Sequence, residues 1–277
     1  MFSDTNPYYN YFVPSLAAAV LALIYFSIAT PAHLYRMITT RKYFGVPLVL
    51  GGIFEMTGFA ARVYTHFQLN NEAAFIVQIV GILLAPILFA AGIYMFLGRL
   101  ISATGYPNFS LVRVRFMTKI FVAGDILCFL VQAFGATKLV NTTSITAIHE
   151  GQNIIVCGLL LQFVIFGFFV AVAGVFDRRV TRSGMAATVP QGVQLRLMLR
   201  TVYITSALIM VRSIYRFIDY INKHGGYLQS HEWPAYVLDV IPMAGVVAIT
   251  MLWYGCDFTA GMRTGQTGDA VELKQGV

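Results

Sequence analysis

The chain is divided into seven apolar blocks of about twenty residues, separated by mostly short polar connections. About twenty apolar residues in a helix cross the ~30 Å hydrocarbon core of a bilayer. Only helices and closed barrels satisfy their backbone hydrogen bonds in lipid, and the alternating pattern of barrel strands is absent. The sequence therefore predicts an all-α fold, a polytopic bundle of seven transmembrane helices. The blocks cover approximately residues 12–30, 46–66, 74–98, 116–138, 152–175, 197–220 and 235–255.

The overall composition excludes an ordinary water-soluble domain. The chain is 58% hydrophobic and 11% charged, whereas soluble domains carry about a quarter charged residues. Its net charge of +7 resides largely in the connections, so membrane lipids are the expected partners and nucleic acid is not. The cysteines lie within or at the edges of apolar blocks, and no disulfide framework is expected.

The basic residues of the connections predict the orientation. Cytoplasmic connections of membrane proteins are enriched in Lys and Arg. One side of the predicted bundle has only Lys138 and Lys223. This places the N-terminus outside and the C-terminus in the cytoplasm. The opposite, cytoplasmic side has Arg36, Arg41, Lys42, Arg99, Arg113, Arg115, Arg178, Arg179, Arg182, Arg196, Arg200, Arg263 and Lys274.

The connections leave no room for a second folded unit. Residues 1–256 are predicted to form one membrane domain, and residues 257–277 a disordered cytoplasmic tail rich in Gly, Thr and charge. The segment from Met1 to Phe12 lacks a basic start, so the first apolar block is expected to direct insertion. Asn141 begins a glycosylation sequon on the predicted outer side, and its use is left open.

Ionisable and amide side chains inside the apolar blocks are the candidate functional residues, because each is costly in lipid unless it is paired or hydrated. Glu55 and Arg62 are seven residues apart and share a helix face. Arg212, Arg216 and Asp219 follow at i, i+4 and i+7 on one stripe. The full candidate binding set is Glu55, Arg62, Gln78, Asp125, Gln132, Gln152, Arg212, Arg216, Asp219, Glu232 and Asp239.

The depth of these residues predicts a polar cavity that opens outward. Glu55, Asp125 and Gln162 fall near mid-membrane, and most of the others fall in the outer half. The inner half reads as nearly pure hydrocarbon. The sequence thus predicts a cavity that closes at mid-depth.

Two interpretations of the charged set remain open. The residues can form internal salt bridges that fix helix packing, for example between Glu55 and an arginine of the sixth block. Alternatively, they bind a ligand. The six acidic residues outnumber the three arginines, which are Arg62, Arg212 and Arg216. The acidic residues are Glu55, Asp125, Glu150, Asp219, Glu232 and Asp239. Carboxylates remain even if every arginine is paired, and a ligand bearing an amine would suit them.

Several chemistries lack the residues they need. No His-x-x-x-His or Cys/His spacing supports a metal or haem site, although four histidines lie on the predicted outer side. No P-loop or G-x-S-x-G motif occurs, and the seventh block has no lysine for a retinal Schiff base. We therefore expect no resident cofactor and no catalytic residues.

The motifs together resemble one known family, the fungal lipid-translocating exporters, which are seven-span proteins named for resistance to an aminocholesterol. The similarity covers roughly residues 15–256. One departure is Gly92, where the family pattern has Ser. The residues that carry the resemblance are Gly52, Glu55, Gly58 and Arg62; the run 83–99 with Pro86, Phe89, Tyr94, Gly98 and Arg99; Asp125, Gln132 and Gly135; and Arg212, Tyr215, Arg216, His231, Glu232, Trp233, Tyr236 and Asp239.

The resemblance implies a fungal plasma-membrane protein without its own ATPase. Family members are associated with export or flipping of sphingoid long-chain bases, with resistance to amphiphilic toxins, and in one branch with porphyrin or haem traffic. The leading hypothesis is a translocator of an amphiphilic, cationic lipid, with Glu55, Asp125 and Asp239 at the head group. The alternatives are a receptor or sensor for an extracellular amphiphile, haem or porphyrin handling, and a metal-dependent intramembrane lipid hydrolase. The oligomeric state is open.

Overall fold

The computed structural model describes residues 15–68, 71–140, 145–184, 194–221 and 231–256. Within these ranges the chain forms seven long helices and no strand, with short 3₁₀ turns at Tyr43–Gly45 and Pro107–Phe109. All seven helices are long and apolar enough to cross a membrane, which confirms the predicted fold class. They are α1 (Leu16–Thr40), α2 (Val46–Phe67), α3 (Glu72–Ala103), α4 (Val114–Val140), α5 (Ile145–Arg182), α6 (Leu195–Ile221) and α7 (Trp233–Gly255).

We call the end of the bundle where α1 begins the N-terminal end, and the end where α7 finishes the C-terminal end. The direction of the bundle in the membrane stays a prediction, because helix length and composition do not distinguish the two faces of a bilayer. The segment from Met1 to Phe12, the sequon at Asn141 and the tail 257–277 lie outside the described residues.

Helix α3 lies at the centre of the bundle. Consecutive helices pack against each other from α1 to α7, and α1 also contacts α7. Helix α3 contacts α6 and α7 in addition to its two neighbours in sequence. Large apolar side chains such as Leu21, Leu130 and Phe134 point outward and are exposed. An outer surface of this kind is suited to lipid tails, which are as apolar as leucine.

Glycines allow α2 and α3 to pack backbone against backbone. A Cβ atom on Gly81 would lie 2.8 Å from the carbonyl oxygen of Phe54 and 3.0 Å from the Cα of Gly58. Both obstacles are main-chain atoms, which cannot rotate away. Small residues at such crossings let helices approach closely in lipid. The α2–α3 pair is therefore held in place by the absence of side chains at two positions.

At the C-terminal end of the bundle, α1 and α7 are joined by hydrogen bonds that include a buried histidine not expected from the sequence. His33 of α1 is buried, with Nε2 2.9 Å from the carbonyl oxygen of Val247 and Nδ1 3.3 Å from the hydroxyl of Tyr254. Lys42 donates from Nζ to the carbonyl oxygens of Tyr254, at 2.6 Å, and Cys256, at 2.5 Å. The expectation of a nearly pure hydrocarbon half is wrong there, because α1 and α7 are joined by these hydrogen bonds.

Replacing Gly81 with Ala is expected to destabilise the protein by about 1–3 kcal/mol, the usual cost of overpacking. The added methyl group must push α2 and α3 apart, since it meets backbone. Denaturant unfolding of the purified protein in mixed micelles measures the change.

Gly167 of α5 provides the matched control, because a Cβ atom there meets nothing within 4 Å. Gly167→Ala should leave the free energy of unfolding unchanged or raise it slightly, since Ala favours helix. Equal losses for the two variants would contradict the close-packing argument.

The predicted orientation can be tested with one helix. His149 and Arg182 are exposed near opposite ends of α5, roughly 50 Å apart at 1.5 Å per residue. In a Cys157→Ser background, a membrane-impermeant maleimide added to intact cells should label His149→Cys. It should label Arg182→Cys only after permeabilisation. The reverse pattern would overturn the orientation.

Candidate functional site

A buried carboxylate, Asp239 of α7, is the centre of the charged residues. It is 4% exposed and lies in a π-helical turn, Tyr236–Val240. Pro242 follows and has no N–H, so the carbonyl of Leu238 loses its usual helical partner. Such widened turns are frequent at functional sites. Here the turn carries the acidic side chain that faces α6.

Two arginines of α6 share this one carboxylate. Arg212 and Arg216 are four residues apart and therefore lie on the same helix face. Arg212 forms an ion pair with one carboxylate oxygen of Asp239 and Arg216 with the other. The three side chains join α6 to α7 inside the bundle.

Arg212, which is 5% exposed, also hydrogen-bonds a backbone carbonyl of α3 that a proline leaves without its helical donor. Its Nη2 donates to the backbone carbonyl oxygen of Ile82 at 2.7 Å. Pro86 stands four residues later and has no N–H, so the Ile82 carbonyl lacks its ordinary i+4 donor. The guanidinium group supplies the missing donor and connects the central helix to the ion cluster.

A second ion pair lies nearer the N-terminal end. Arg62 of α2 pairs with Glu232, which precedes α7. The hydroxyl of Tyr236 accepts from Nε of Arg62 and donates to Glu232, both at 3.2 Å. Glu232 also accepts from the backbone N–H of Ser15 at 2.7 Å. This pair therefore fastens the start of α1 to α2 and α7.

Glu55 of α2 stands beside the first cluster without a close partner. It is 2% exposed and lies within electrostatic range of Arg212, Arg216 and Asp239. Among the described residues it makes no hydrogen bond and no ion pair within 4.0 Å. Two cations and two acidic groups thus occupy this region, and only Asp239 contacts the cations directly.

Asp125 of α4 has one unpartnered carboxylate oxygen. The residue is 1% exposed, and its Oδ2 accepts from the hydroxyl of Tyr94 at 2.9 Å. Its buried Oδ1 has no hydrogen-bond partner among the described residues. Buried acceptors without partners are costly, and such a group calls for water or a ligand.

A small cavity of about 20 Å³ adjoins Asp125 between α3, α4, α5 and α6. That volume suffices for about one water molecule. We call it the inner cavity. It is lined by Leu83, Pro86, Ala90, Asp125, Leu159, Gln162, Phe166, Ile209, Arg212, Ser213 and Arg216.

A larger cavity of about 190 Å³ lies toward the N-terminal end, and we call it the outer cavity. Arg216 and Asp239 form part of its wall. Arg216 is the residue that the linings of the two cavities share. The outer cavity is lined by Phe59, Arg62, Ile82, Tyr215, Arg216, Asp219, His231, Ala235, Tyr236, Asp239 and Val240.

The predicted amides are distributed around these cavities. Gln78 is buried and accepts from the hydroxyl of Thr65 at 3.2 Å, which links α3 to α2. Gln132 is buried and donates to Gln162 of the inner cavity at 3.0 Å. Gln152 is half-buried near the start of α5 and lines neither cavity. Glu55 and Glu232 also line neither cavity. Glu55 lies near Arg212 of the inner cavity, and Glu232 is paired with Arg62 of the outer cavity.

Sequence reasoning missed three groups that complete the site. Tyr94 and Tyr236 hold Asp125 and the Arg62–Glu232 pair, and the Ile82 carbonyl holds Arg212. The sequence spacing could have indicated two of them. Tyr236 stands three residues before Asp239 and so lies near it on the same helix, and Ile82 stands four residues before Pro86, which leaves its carbonyl without a helical donor. Within the described ranges, no three His, Cys, Asp or Glu side chains converge on a point where they could hold a metal ion.

Removing the charge of Asp239 should destabilise the fold strongly. Asp239→Asn leaves two buried guanidinium groups without their carboxylate, a change that typically costs about 3–5 kcal/mol. Glu55→Gln should cost clearly less, because no ion pair or hydrogen bond to another described residue is lost. Unfolding free energies in mixed micelles compare the two. Equal costs would show that Glu55 is as much a part of the ion cluster as Asp239.

Comparison with known proteins identifies the family. Residues 48–261 match the family described as RTA1 like protein. Protein RTM1 of Saccharomyces cerevisiae is 34% identical over 239 residues, covering 81% of this chain and 73% of that protein. The yeast protoporphyrin uptake protein 1 is 32% identical over 212 residues, covering 76% of this chain and 68% of that protein.

A third relative, the sphingoid long-chain base transporter RSB1 of S. cerevisiae, is 24% identical over 289 residues, covering 92% of this chain and 76% of that protein. No solved structure matches the chain. The family match covers more than half of the chain and includes both cavities, which the helices α2 to α7 enclose. The chain therefore belongs to the RTA1-like family of seven-helix membrane proteins.

Proposed function

We propose that this protein binds an amphiphilic lipid with a cationic head group, such as a sphingoid long-chain base, and moves it across or out of the bilayer. A relative named as a sphingoid long-chain base transporter supports this substrate class. Relatives named as a transporter and an uptake protein favour transport over catalysis. Residues 1–256 would act as one unit, in the plasma membrane, with the N-terminus outside.

The observation that carries the proposal is the unpartnered oxygen of Asp125. This carboxylate is buried beside a cavity in the membrane-spanning part of the bundle, and Tyr94 satisfies only its other oxygen. An ammonium group with adjacent hydroxyls offers both charge and hydrogen-bond donors to such an acceptor. In our proposal, Asp125 is the deepest contact of the head group.

The outer cavity is the entry position in this proposal. Asp219 and Asp239 line it, and its volume of about 190 Å³ is much larger than the 20 Å³ of the inner cavity. A cavity of that size accepts a polar head group but not a long hydrocarbon tail as well. The tail would remain among the apolar side chains that face the lipid.

Arg216 controls passage between the two cavities in this scheme, because it lines both and is ion-paired with Asp239. A cation that approaches Asp239 competes with Arg216 for the carboxylate. The displaced guanidinium group needs another anion, and Glu55 lies within electrostatic range. Glu55 would thus act as the reserve partner for the arginines rather than as a direct contact of the head group.

The remaining charged residues position the site. Arg62 and Glu232 hold the N-terminal end of α7 against α2, and Gln78, Gln132 and Gln152 provide polar lining or support. Nothing in the sequence supplies an ATP-binding P-loop. Movement of the lipid would therefore follow its gradient or a coupled ion.

One second function is favoured by a specific observation. The relative named as a protoporphyrin uptake protein is 32% identical to this chain, more than the long-chain base transporter is. Arg62 and Arg216 line the outer cavity, and guanidinium groups would suit carboxylates of a tetrapyrrole. Uptake assays with protoporphyrin and with a long-chain base separate the two substrates.

Glu55→Gln and Asp125→Asn should each abolish tolerance to long-chain bases while the protein still reaches the cell surface. Each amide keeps the shape of the side chain and removes the negative charge. A charge-assisted hydrogen bond contributes about 1.5–3 kcal/mol, so initial transport rates in liposomes should fall by at least about tenfold. A fluorescent long-chain base, followed from donor leaflet to acceptor, measures that rate.

Glu150→Gln is the matched control. Glu150 is exposed and pairs with Lys138 at the surface, an interaction of little energetic weight. The control should transport like the wild type. If both amide variants protect cells as well as the wild type does, the carboxylate mechanism is wrong. If the wild type binds the lipid in liposomes but moves none, the receptor alternative replaces transport.

A further inference from the structure

A basic cleft lies between α3 and α4 near the C-terminal end of the bundle, and its lining on α3 begins at Met95, beyond Ala90 of the inner cavity. Its volume is about 630 Å³, within the range of small-molecule sites. Neither the ion clusters nor the two cavities described above include any of its residues. The cleft is lined by Met95, Gly98, Arg99, Ser102, Val114, Arg115, Thr118 and Lys119.

The spacing of these residues explains how two helices build one cleft. On α3, Met95, Arg99 and Ser102 follow at i, i+4 and i+7 and share a face. On α4, Arg115 and Lys119 are four residues apart and form a matching basic stripe. Residues of both stripes line the same cleft, so two helices bring three cationic side chains to it.

Within the described residues, no acidic side chain neutralises the charge of the cleft. Among the eight lining residues none is acidic. Arg99, Arg115 and Lys119 make no ion pair within the part of the chain that the structure describes. Arg99 lies over the ring of Phe44, with its guanidinium carbon 5.9 Å from the ring centroid. Converging like charges repel each other, so an anion that occupies the cleft gains their combined attraction.

The position of the cleft along the helices suits a lipid head group. Arg99 lies four residues before the end of α3, and Arg115 is the second residue of α4. The apolar side chains of Met95 and Val114 form part of the same wall. Cations at helix ends beside apolar side chains are placed where phosphates meet acyl chains. A soluble anion would gain nothing from the apolar side chains of Met95 and Val114.

We propose that this cleft binds the head group of an anionic phospholipid that carries a phosphate monoester. At neutral pH the phosphodiester contributes about −1 and the monoester about −1.5 to −2, which balances three cations. Arg99 and Arg115 can each hold a phosphate with two parallel hydrogen bonds, and Lys119 adds a point charge. The hydroxyl of Thr118 provides a further donor or acceptor for the head group, and Ser102, whose hydroxyl donates to the Gly98 carbonyl oxygen at 3.0 Å, can accept from it. The general excess of basic residues on this side explains the sign of the charge but not its convergence on one cleft.

The test compares lipid binding to the wild type with binding to a triple variant, Arg99→Gln, Arg115→Gln and Lys119→Gln. Dioctanoyl phosphatidylinositol 4-phosphate is titrated into full-length protein in phosphatidylcholine nanodiscs, and calorimetry gives the dissociation constant. Loss of three charge-assisted contacts should weaken binding by at least about tenfold. Dioctanoyl phosphatidylcholine should show no specific binding to either protein.

The matched control removes the same charge elsewhere on the same end of the bundle. Arg36, Arg182 and Arg196 are exposed, and none of them lines the cleft. Their triple replacement by Gln should leave the dissociation constant within about twofold of the wild type, because diffuse charge is screened by salt. An equal loss in the two triple variants would overturn the proposal, since general attraction would then explain the binding.

Two further measurements complete the test. If the cleft triple variant fails to fold, judged by circular dichroism, the single variant Lys119→Gln replaces it and should show an intermediate loss. Inositol 1,4-bisphosphate, the soluble head group, should bind more weakly than the lipid because it lacks the apolar part. Equal affinity for the soluble head group would overturn the assignment to a lipid. None of these outcomes depends on transport of a long-chain base.

Discussion

The carboxylate of Asp239, held between Arg212 and Arg216, is the interaction on which the polar part of the bundle depends. Each of these ions would lose several kcal/mol of hydration, roughly, if it were buried alone. Together they form a compact cluster that joins α6 to α7 and, through Arg212, to α3. The cluster fixes the position of Arg216, which lines both cavities. The shape of the candidate site therefore follows from one shared carboxylate.

The acidic residues of the bundle fall into two groups. Asp239 and Glu232 contact arginines and serve the packing of α7. Glu55 and Asp125 are equally buried but make no ion pair within the described residues. Burial without a counter-ion is expensive and is typical of groups that meet a substrate, a proton or an ion. This division narrows the candidate binding residues to those whose charge the fold itself leaves uncompensated.

The number of helices was predictable, because each crossing of the bilayer needs a block of about twenty apolar residues. The length of the helices was not: α5 (Ile145–Arg182) extends beyond the predicted block 152–175 at both ends. The shared face of Arg212 and Arg216 was also predictable, since helical periodicity alone determines it. The sequence left open which carboxylate these arginines meet, and an ion pair with Glu55 was a reasonable expectation. The π-helical turn at Tyr236–Val240 brings Asp239 to them instead. Which side chains meet between two helices depends on how the helices rotate and cross, and contacts such as the glycine pair of α2 and α3 set both. The periodicity of one helix says nothing about rotation or crossing.

The hydrogen bond from Arg212 to the Ile82 carbonyl does not depend on which side chain stands at position 82. The acceptor belongs to the main chain, so any residue at position 82 would present it, and what makes it available is the ring of Pro86 one turn later. In evolution, the side chain at position 82 is free to change as far as packing permits. The proline at position 86 is constrained, because a guanidinium group on another helix uses the carbonyl that it leaves free. A comparison of relatives that looks only for paired side chains would overlook this coupling, because one of its partners has no side chain in the contact.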